Sequence, residues 1–188
     1  QVTASAFLIL SGTLVGNDLI AEFGALPPAF LPNGTRRLYE SQLEFARTYE
    51  ADVYLTLPHA FELPPSDQRM LTDAGVTLIR SNPDLPLKEA IALALAAIRP
   101  EARLYLLFGD TLIRTKTPSA PDTFASSRTS HFAVWADFQV EDGLTYFREG
   151  LGQDPPNQEV VAGFFDLSDG PRFQKLLSNK GSFIDTLN

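Results

Sequence analysis

The chain has 188 residues, 44% of them hydrophobic, with a formal net charge of -8 and no cysteine. That length suits one domain whose core needs no staples, and the missing thiols exclude a disulfide framework, a thiolate metal site and a cysteine nucleophile. The acidic balance, with no dense Lys/Arg run, argues against nucleic acid as a main partner; no apolar run reaches the roughly 20 residues of a membrane span, so the expectation is a cytoplasmic protein without a membrane partner.

The first half alternates strand-like and helix-like segments. Ala4–Leu10 is a nearly continuous apolar run, as a strand buried on both faces requires, and a glycine-bearing loop, Ser11–Gly16, follows it. Phe23–Asn33 holds Pro27, Pro28 and Pro32 and so is neither regular helix nor central strand. Leu38–Tyr49 reads as a helix, Val53–Leu57 as a strand, and Ser66 as the N-cap of a helix through Ala74 that ends on Gly75. Val76–Ile79 is a short strand. Leu87–Ile98 repeats apolar residues at i, i+3, i+4, i+7, i+8 and i+11, the stripe of an amphipathic helix. Leu104–Phe108 is a strand running into Gly109-Asp110. Strands alternating with helices at this spacing predict a largely parallel sheet.

The second half differs in texture. Thr115–Ser130 is rich in Thr, Ser and Pro and reads as a mobile loop. Phe132–Phe138 and Val160–Phe165 read as strands, and Pro171–Ser178 and Phe183–Leu187 as helices. The pattern predicts a single α/β domain over residues 1–188, with an appended antiparallel piece.

Asp110 is the sharpest candidate for chemistry. Sheets of this class bind ligands beyond the carboxyl ends of their strands, and a carboxylate there, beside the small Gly109, can hold Mg²⁺ against phosphates. The competing reading makes Gly-Asp-Thr a turn that Asp110 caps. The Ser11–Gly16 loop can present backbone N–H groups to a phosphate, or be an ordinary turn; it matches neither a Walker loop nor a dinucleotide fingerprint. Arg36 and Arg37 offer cations for phosphate or a solvated helix start. Lys88 and Glu89 lie in the first turn of the Leu87–Ile98 helix, where Lys88 either faces a nucleotide or is simply exposed. His59 and His131, the two histidines, could form a metal pair with carboxylates, but their spacing gives that no support, and Trp135 reads as core.

Taken in order, SGTLVG, GALPPAFLPNGTRRLYESQLEF, DVYLTLP, LPLKEAIALALAAI, LYLLFGDTLI and VVAGFFDLSD resemble the nucleotidyltransferase (nucleotide-sugar pyrophosphorylase) branch of the nucleotide-diphospho-sugar transferase GT-A superfamily, roughly from Ala4 to Asp169. The resemblance implies a three-layer, Rossmann-like α/β fold: a mixed, mostly parallel sheet with helices on both faces and a small antiparallel extension. It implies a Mg²⁺-dependent enzyme joining a nucleoside triphosphate to a sugar phosphate, with release of pyrophosphate, in surface-polysaccharide or nucleotide-sugar biosynthesis. It makes Asp110 the catalytic metal ligand, places Ser11, Gly12, Thr13, Lys88 and Gly109 at the nucleotide, and puts Gly163 and Glu159 on the sugar side. Whether such a chain forms a homo-oligomer is left open, as is whether it is the N-terminal domain of a longer protein.

Three departures in its residues accompany the resemblance, one being that the second metal-binding Asp the family has beyond the Gly-Phe-Phe strand is not evident. The first loop lacks the second glycine and the arginine of a Gly-x-Gly-Thr-Arg core, and Pro27-Pro28-Ala29-Phe30 stands where the family has Pro-Lys. They keep open a catalytically degenerate GT-A-like domain with a binding or regulatory role. A GT-A glycosyltransferase ranks third, because Gly109-Asp110-Thr111 has one acid where an Asp-x-Asp is usual.

Overall fold

The computed structural model describes residues 4–115, 117–129, 136–149 and 158–188. Apolar runs become the central strands: β1 (Ser5–Leu10), β4 (Ala51–Pro58), β5 (Thr77–Ser81) and β6 (Leu104–Phe108). They pair in parallel in the order β5-β4-β1-β6. β6 then pairs antiparallel with β10 (Gln158–Leu167), which also pairs with β7 (Thr123–Thr129) and with β8 (Asp137–Glu141), itself half of a hairpin with β9 (Leu144–Arg148). The sheet has eight strands among the described residues. A two-stranded ribbon, β2 (Pro32–Asn33) with β3 (Arg36–Arg37), lies apart from it. The expected mixed, mostly parallel sheet with an antiparallel extension is what forms.

The sheet is covered on both faces, which is why its central strands are apolar throughout. On one face Phe7, Ile9, Leu55, Leu57, Tyr105, Leu107 and Phe164 pack with Tyr39, Leu43, Phe45 and Ala46 of α2 (Leu38–Ala46) and Leu71 of α3 (Pro65–Asp73). On the other, Ala6, Leu8, Leu104, Leu106 and Phe165 meet Ile91, Ala94 and Leu95 of α4 (Leu87–Ile98) and Phe173 and Phe183 of the C-terminal helices, α5 (Gly170–Leu176) and α6 (Phe183–Leu187). Ile91 and Leu95 are fully buried, each such aliphatic side chain stabilising the fold by roughly 1.5–3 kcal/mol.

Two expectations are corrected, and one helix stands where none is assigned above. The helix after β4 starts two residues earlier than a Ser66 cap would place it: Pro65 opens α3 and Pro64 is its N-cap residue, so proline's fixed φ starts the helix without a side-chain cap. A short helix, α1 (Asn17–Phe23), follows the first loop, although it buries no residue. The segment expected to be a mobile loop holds β7, and Ser119 before it is hydrogen-bonded to Tyr49 and Asp166. An antiparallel strand with one wet face needs no apolar composition, which is why β7 reads as loop. His131 and Trp135 lie outside the described residues.

α6 begins with a capping box: Ser182 accepts from the Asp185 N–H, while the Ser182 N–H donates to Asp185 Oδ2. That backbone bond, then the Ser182 hydroxyl, holds the Asp185 carboxyl below its ordinary value, with Lys88 adding a weaker pull. A depressed folded pKa means that this contribution is present above the unfolded value of about 3.9 and is lost as pH falls through the lower folded one. Exchange of the Ile184–Leu187 amides, corrected for intrinsic rates, should therefore accelerate between pH 5 and about pH 3. Asp185→Asn should exchange fast at both ends of that range; a wild-type rate unaffected by acid would refute the cap's role.

Candidate functional site

The strand order reverses between β1 and β6, since the chain leaves β1 for β4 and β5 on one side and returns on the other. Ligands of open α/β sheets bind in the crevice this creates at the carboxyl ends. Ser11–Gly12 and Gly109–Asp110 flank it. They lie close together: the Gly109 N–H donates to Leu10 O at 2.8 Å, and a Cβ on Gly109 would stand 2.6 Å from that oxygen and 2.9 Å from Ser11 Cβ. Only glycine lets the two strand ends approach this far.

Ser11 is buried and tied into the protein: its N–H donates to Thr56 Oγ1 at 2.8 Å and its Oγ accepts from the Ala29 N–H at 3.0 Å. Gly12 lies against Thr56 and Ser81, at the ends of the next two strands. After that the chain turns outward. Among the described residues no protein acceptor meets the backbone N–H groups of Gly12, Thr13 or Leu14, and the next bond is Val15 N–H to Leu26 O. Consecutive unpaired N–H groups at a strand end suit an anion.

A cavity of about 730 Å³ opens beside this point. Asp110 and Thr111 line it from the end of β6, Lys88 and Glu89 from the start of α4, Val161 and Gly163 from β10, and Ser182 and Phe183 from the C-terminal segment. β10 makes room by breaking step: its register against β7 shifts between Val161 and Phe165, and Gly163 adopts φ +70°. A Cβ at Gly163 would stand 2.5 Å from Thr111 Oγ1 and 3.1 Å from Phe108 Cβ, so the bulge seats against the Asp110 turn.

Asp110 is exposed, and among the described residues its one hydrogen bond comes from Thr111 Oγ1 at 3.4 Å. Lys88 Nζ donates to the carbonyls of Asn179 and Gly181 at 2.6 and 3.0 Å, fastening the C-terminal segment to the cavity wall. Glu159 is exposed, bonded to Ser126 Oγ, and outside the cavity lining. Ser11, Gly12 and Thr13 also lie outside that lining, on the other flank of Gly109. The two arginines face away: Arg36 pairs with Glu40 and Glu44, and Arg37 reaches Asp67 at 3.8 Å and Phe30 O at 3.2 Å.

Sequence reasoning did not single out Gln42. It sits on the buried stripe of α2 with Tyr39, Leu43 and Ala46, three residues beyond Tyr39. A polar residue on an apolar stripe is the signal that would have found it.

The residues fit a Mg²⁺ ion brought by phosphates rather than a resident metal centre. No group of three or more His, Cys, Asp or Glu that could hold a metal occurs among the described residues. Mg²⁺ commonly keeps several waters and takes one or two carboxylates besides substrate phosphates, and Asp110 is an exposed carboxylate in the cavity lining.

No protein-family model matches the chain, and no curated protein is similar to it in sequence. Solved structures share its fold. The CTP:phosphocholine cytidylyltransferase of Streptococcus pneumoniae matches with a TM-score of 0.70 and 13% identity, over 93% of this chain and 76% of that one. The inositol-1-phosphate CTP transferase of T. maritima matches with a TM-score of 0.69 and 13% identity, over 100% and 81%. A protein described as a glucose-1-phosphate thymidylyltransferase from Bacillus anthracis matches with a TM-score of 0.66 and 14% identity, over 96% and 78%. The chain therefore has the Rossmann-like fold of the nucleotidyltransferases.

Proposed function

We propose that residues 1–188 form a single nucleotidyltransferase domain that joins a nucleoside triphosphate to a sugar phosphate or a similar phosphorylated metabolite. An acceptor phosphate oxygen would bond to the α-phosphorus; the bond from that phosphorus to the bridging oxygen would break, and pyrophosphate would leave with the electron pair. One observation supports this above the others: at the reversal of strand order, the N–H groups of Gly12–Leu14, unpaired among the described residues, and the Asp110 carboxylate flank Gly109 beside a cavity of about 730 Å³.

The roles follow from position. Gly12 and Thr13 would offer N–H groups to the phosphates, and buried Ser11 and Gly109 would set the spacing of the two strand ends. Asp110 would hold Mg²⁺, which neutralises phosphate charge when bound. Gly163, in the cavity wall, would face the acceptor, with Glu159 further out on the same strand. Lys88 would contribute positive charge at the wall while tying down the C-terminal segment. Catalysis of this kind is positioning and charge stabilisation more than covalent chemistry.

A second reading, a GT-A-like domain that binds nucleotide without turnover, is favoured by one specific fact. Lys88 is the one cation in the described cavity lining, and it already donates to two carbonyls. A thermal-shift screen of nucleoside triphosphates with and without Mg²⁺, followed by pyrophosphate release with sugar phosphates, separates the readings. A nucleotide at 100 times its Kd with Mg²⁺ present should stabilise the protein by about 2.7 kcal/mol, and the same nucleotide concentration without Mg²⁺ by clearly less. Binding without pyrophosphate release supports the second reading, and no shift with any triphosphate defeats both.

A further inference from the structure

We propose that Gln42 is a positioning residue that fixes the turn holding Asp110 at the cavity rim, an inference that rests on the nucleotidyltransferase reading above. Gln42 is 1% exposed. Its Nε2 lies 2.9 Å from Gly109 O, 3.0 Å from Thr111 O and 3.3 Å from Phe108 O. Those carbonyls bracket Asp110 on both sides. Three oxygens around one nitrogen settle which end of the amide is which, because the amide oxygen cannot donate to them.

Few other bonds hold this turn. Thr111 N–H donates to Phe108 O at 3.0 Å and Gly109 N–H to Leu10 O at 2.8 Å. Among the described residues no other donor reaches Gly109 O or Thr111 O. An α2 side chain more than sixty residues away in sequence thus fixes the peptide groups on either side of an exposed carboxylate.

The other end of the amide shows what the arrangement costs. Gln42 Oε1 is buried with no hydrogen-bond partner among the described residues, a state that ordinarily penalises the fold. The side chain is therefore placed for its nitrogen, and the nitrogen serves only the Asp110 turn. With that clamp gone, the carboxylate would sample directions away from the phosphates, so Mg²⁺-assisted binding should weaken while contacts to Gly12–Leu14 persist.

The test titrates Mg²⁺ against the triphosphate that stabilises the wild type, reading ligand-induced thermal shift, with nucleotide affinity in EDTA measured alongside. Gln42→Met removes the donor at similar volume and should raise the half-saturating Mg²⁺ concentration about tenfold, leaving affinity in EDTA within about twofold. Because Gln42→Met leaves two buried carbonyls without donors and can cost the fold itself, Gln42→Glu is the second arm. Its neutral acid keeps one O–H donor, and its carboxylate repels the same oxygens. The Gln42→Glu midpoint should rise about tenfold at pH 8 and return most of the way to wild type at pH 5.5. A folded variant with the wild-type midpoint at both pH values overturns the inference and leaves the proposed function standing. A wild type without Mg²⁺-dependent binding overturns both.

Discussion

Asp110→Asn is expected to weaken Mg²⁺-dependent triphosphate binding on the order of 100-fold, equivalent to about 2.8 kcal/mol, with little change in melting temperature. The amide keeps the shape of the side chain and removes the charge that a hard cation needs. Stability should barely move, because Asp110 is exposed and its one hydrogen bond among the described residues, from Thr111 Oγ1, is long at 3.4 Å. Surface substitutions of this sort stay within about 0.5 kcal/mol. If Asp110 merely capped the turn, the mutant would lose stability and keep its affinity per folded molecule. Melting temperature and nucleotide affinity measured on the same protein distinguish the outcomes. Unchanged Mg²⁺-nucleotide affinity in a folded mutant would remove the centre of the proposed function.

Asp166→Ala should act in the opposite way, on the fold. Asp166 is fully buried in β10 and accepts two bonds from Arg103, from Nε and Nη2, both at 2.6 Å, and one from Ser119 Oγ. Arg103 also reaches Ser119 O and lies 5.3 Å from the centre of the Tyr105 ring, and Tyr49 bonds Ser119. Through this network β10, the start of β6 and the connection before β7 share one anchor. Removing one member of a buried ion pair typically costs 3–5 kcal/mol. The Arg103 side chain is 27% exposed and keeps some hydration, which sets the expectation near the lower end, about 3 kcal/mol. For a chain of this length that is a fall in Tm of roughly 6–12 °C. Replacing Arg103 by Met in the same protein should recover part of the loss, since the charge left behind is the main penalty. A loss below about 1 kcal/mol in denaturant unfolding of the single mutant would show the network to be incidental.

The parallel half was legible because burial on both faces leaves a residue-level mark. Leu104–Phe108 is the strand the sequence predicts, Ser5–Leu10 and Thr77–Ser81 differ from expectation by one or two residues at their ends, and the stripe of Leu87–Ile98 gives α4 without adjustment. The antiparallel half left a fainter mark. β7 exposes Ser126, Ser127 and Arg128 and needs only Phe124 and Ala125 against the core, so its composition looks like a loop. Asp110 was findable because it follows a conspicuous strand. For Gln42 the apolar stripe of α2 marks a buried polar residue but not its task, since its partners are backbone carbonyls of Phe108, Gly109 and Thr111, and backbone partners are invisible in a list of side chains. The pairing of Arg36 with Glu40, four residues on, could have been read from helical spacing.

The order in which strands pair also has a consequence during synthesis. β1, β4 and β5 are complete once Ser81 has been made, and β6 joins them at Phe108. The other edge of β6, the apolar Leu-Tyr-Leu-Leu-Phe, waits for Phe164–Leu167 of β10. At about 5–20 residues per second, the 59 positions from 108 to 167 take roughly 3–12 s to translate. For that interval the nascent chain presents an unpaired hydrophobic strand edge, a template for pairing with other chains. Slow translation should thus favour aggregation of this protein, and a chaperone that shields β6 should raise its soluble yield more than one acting on the finished chain.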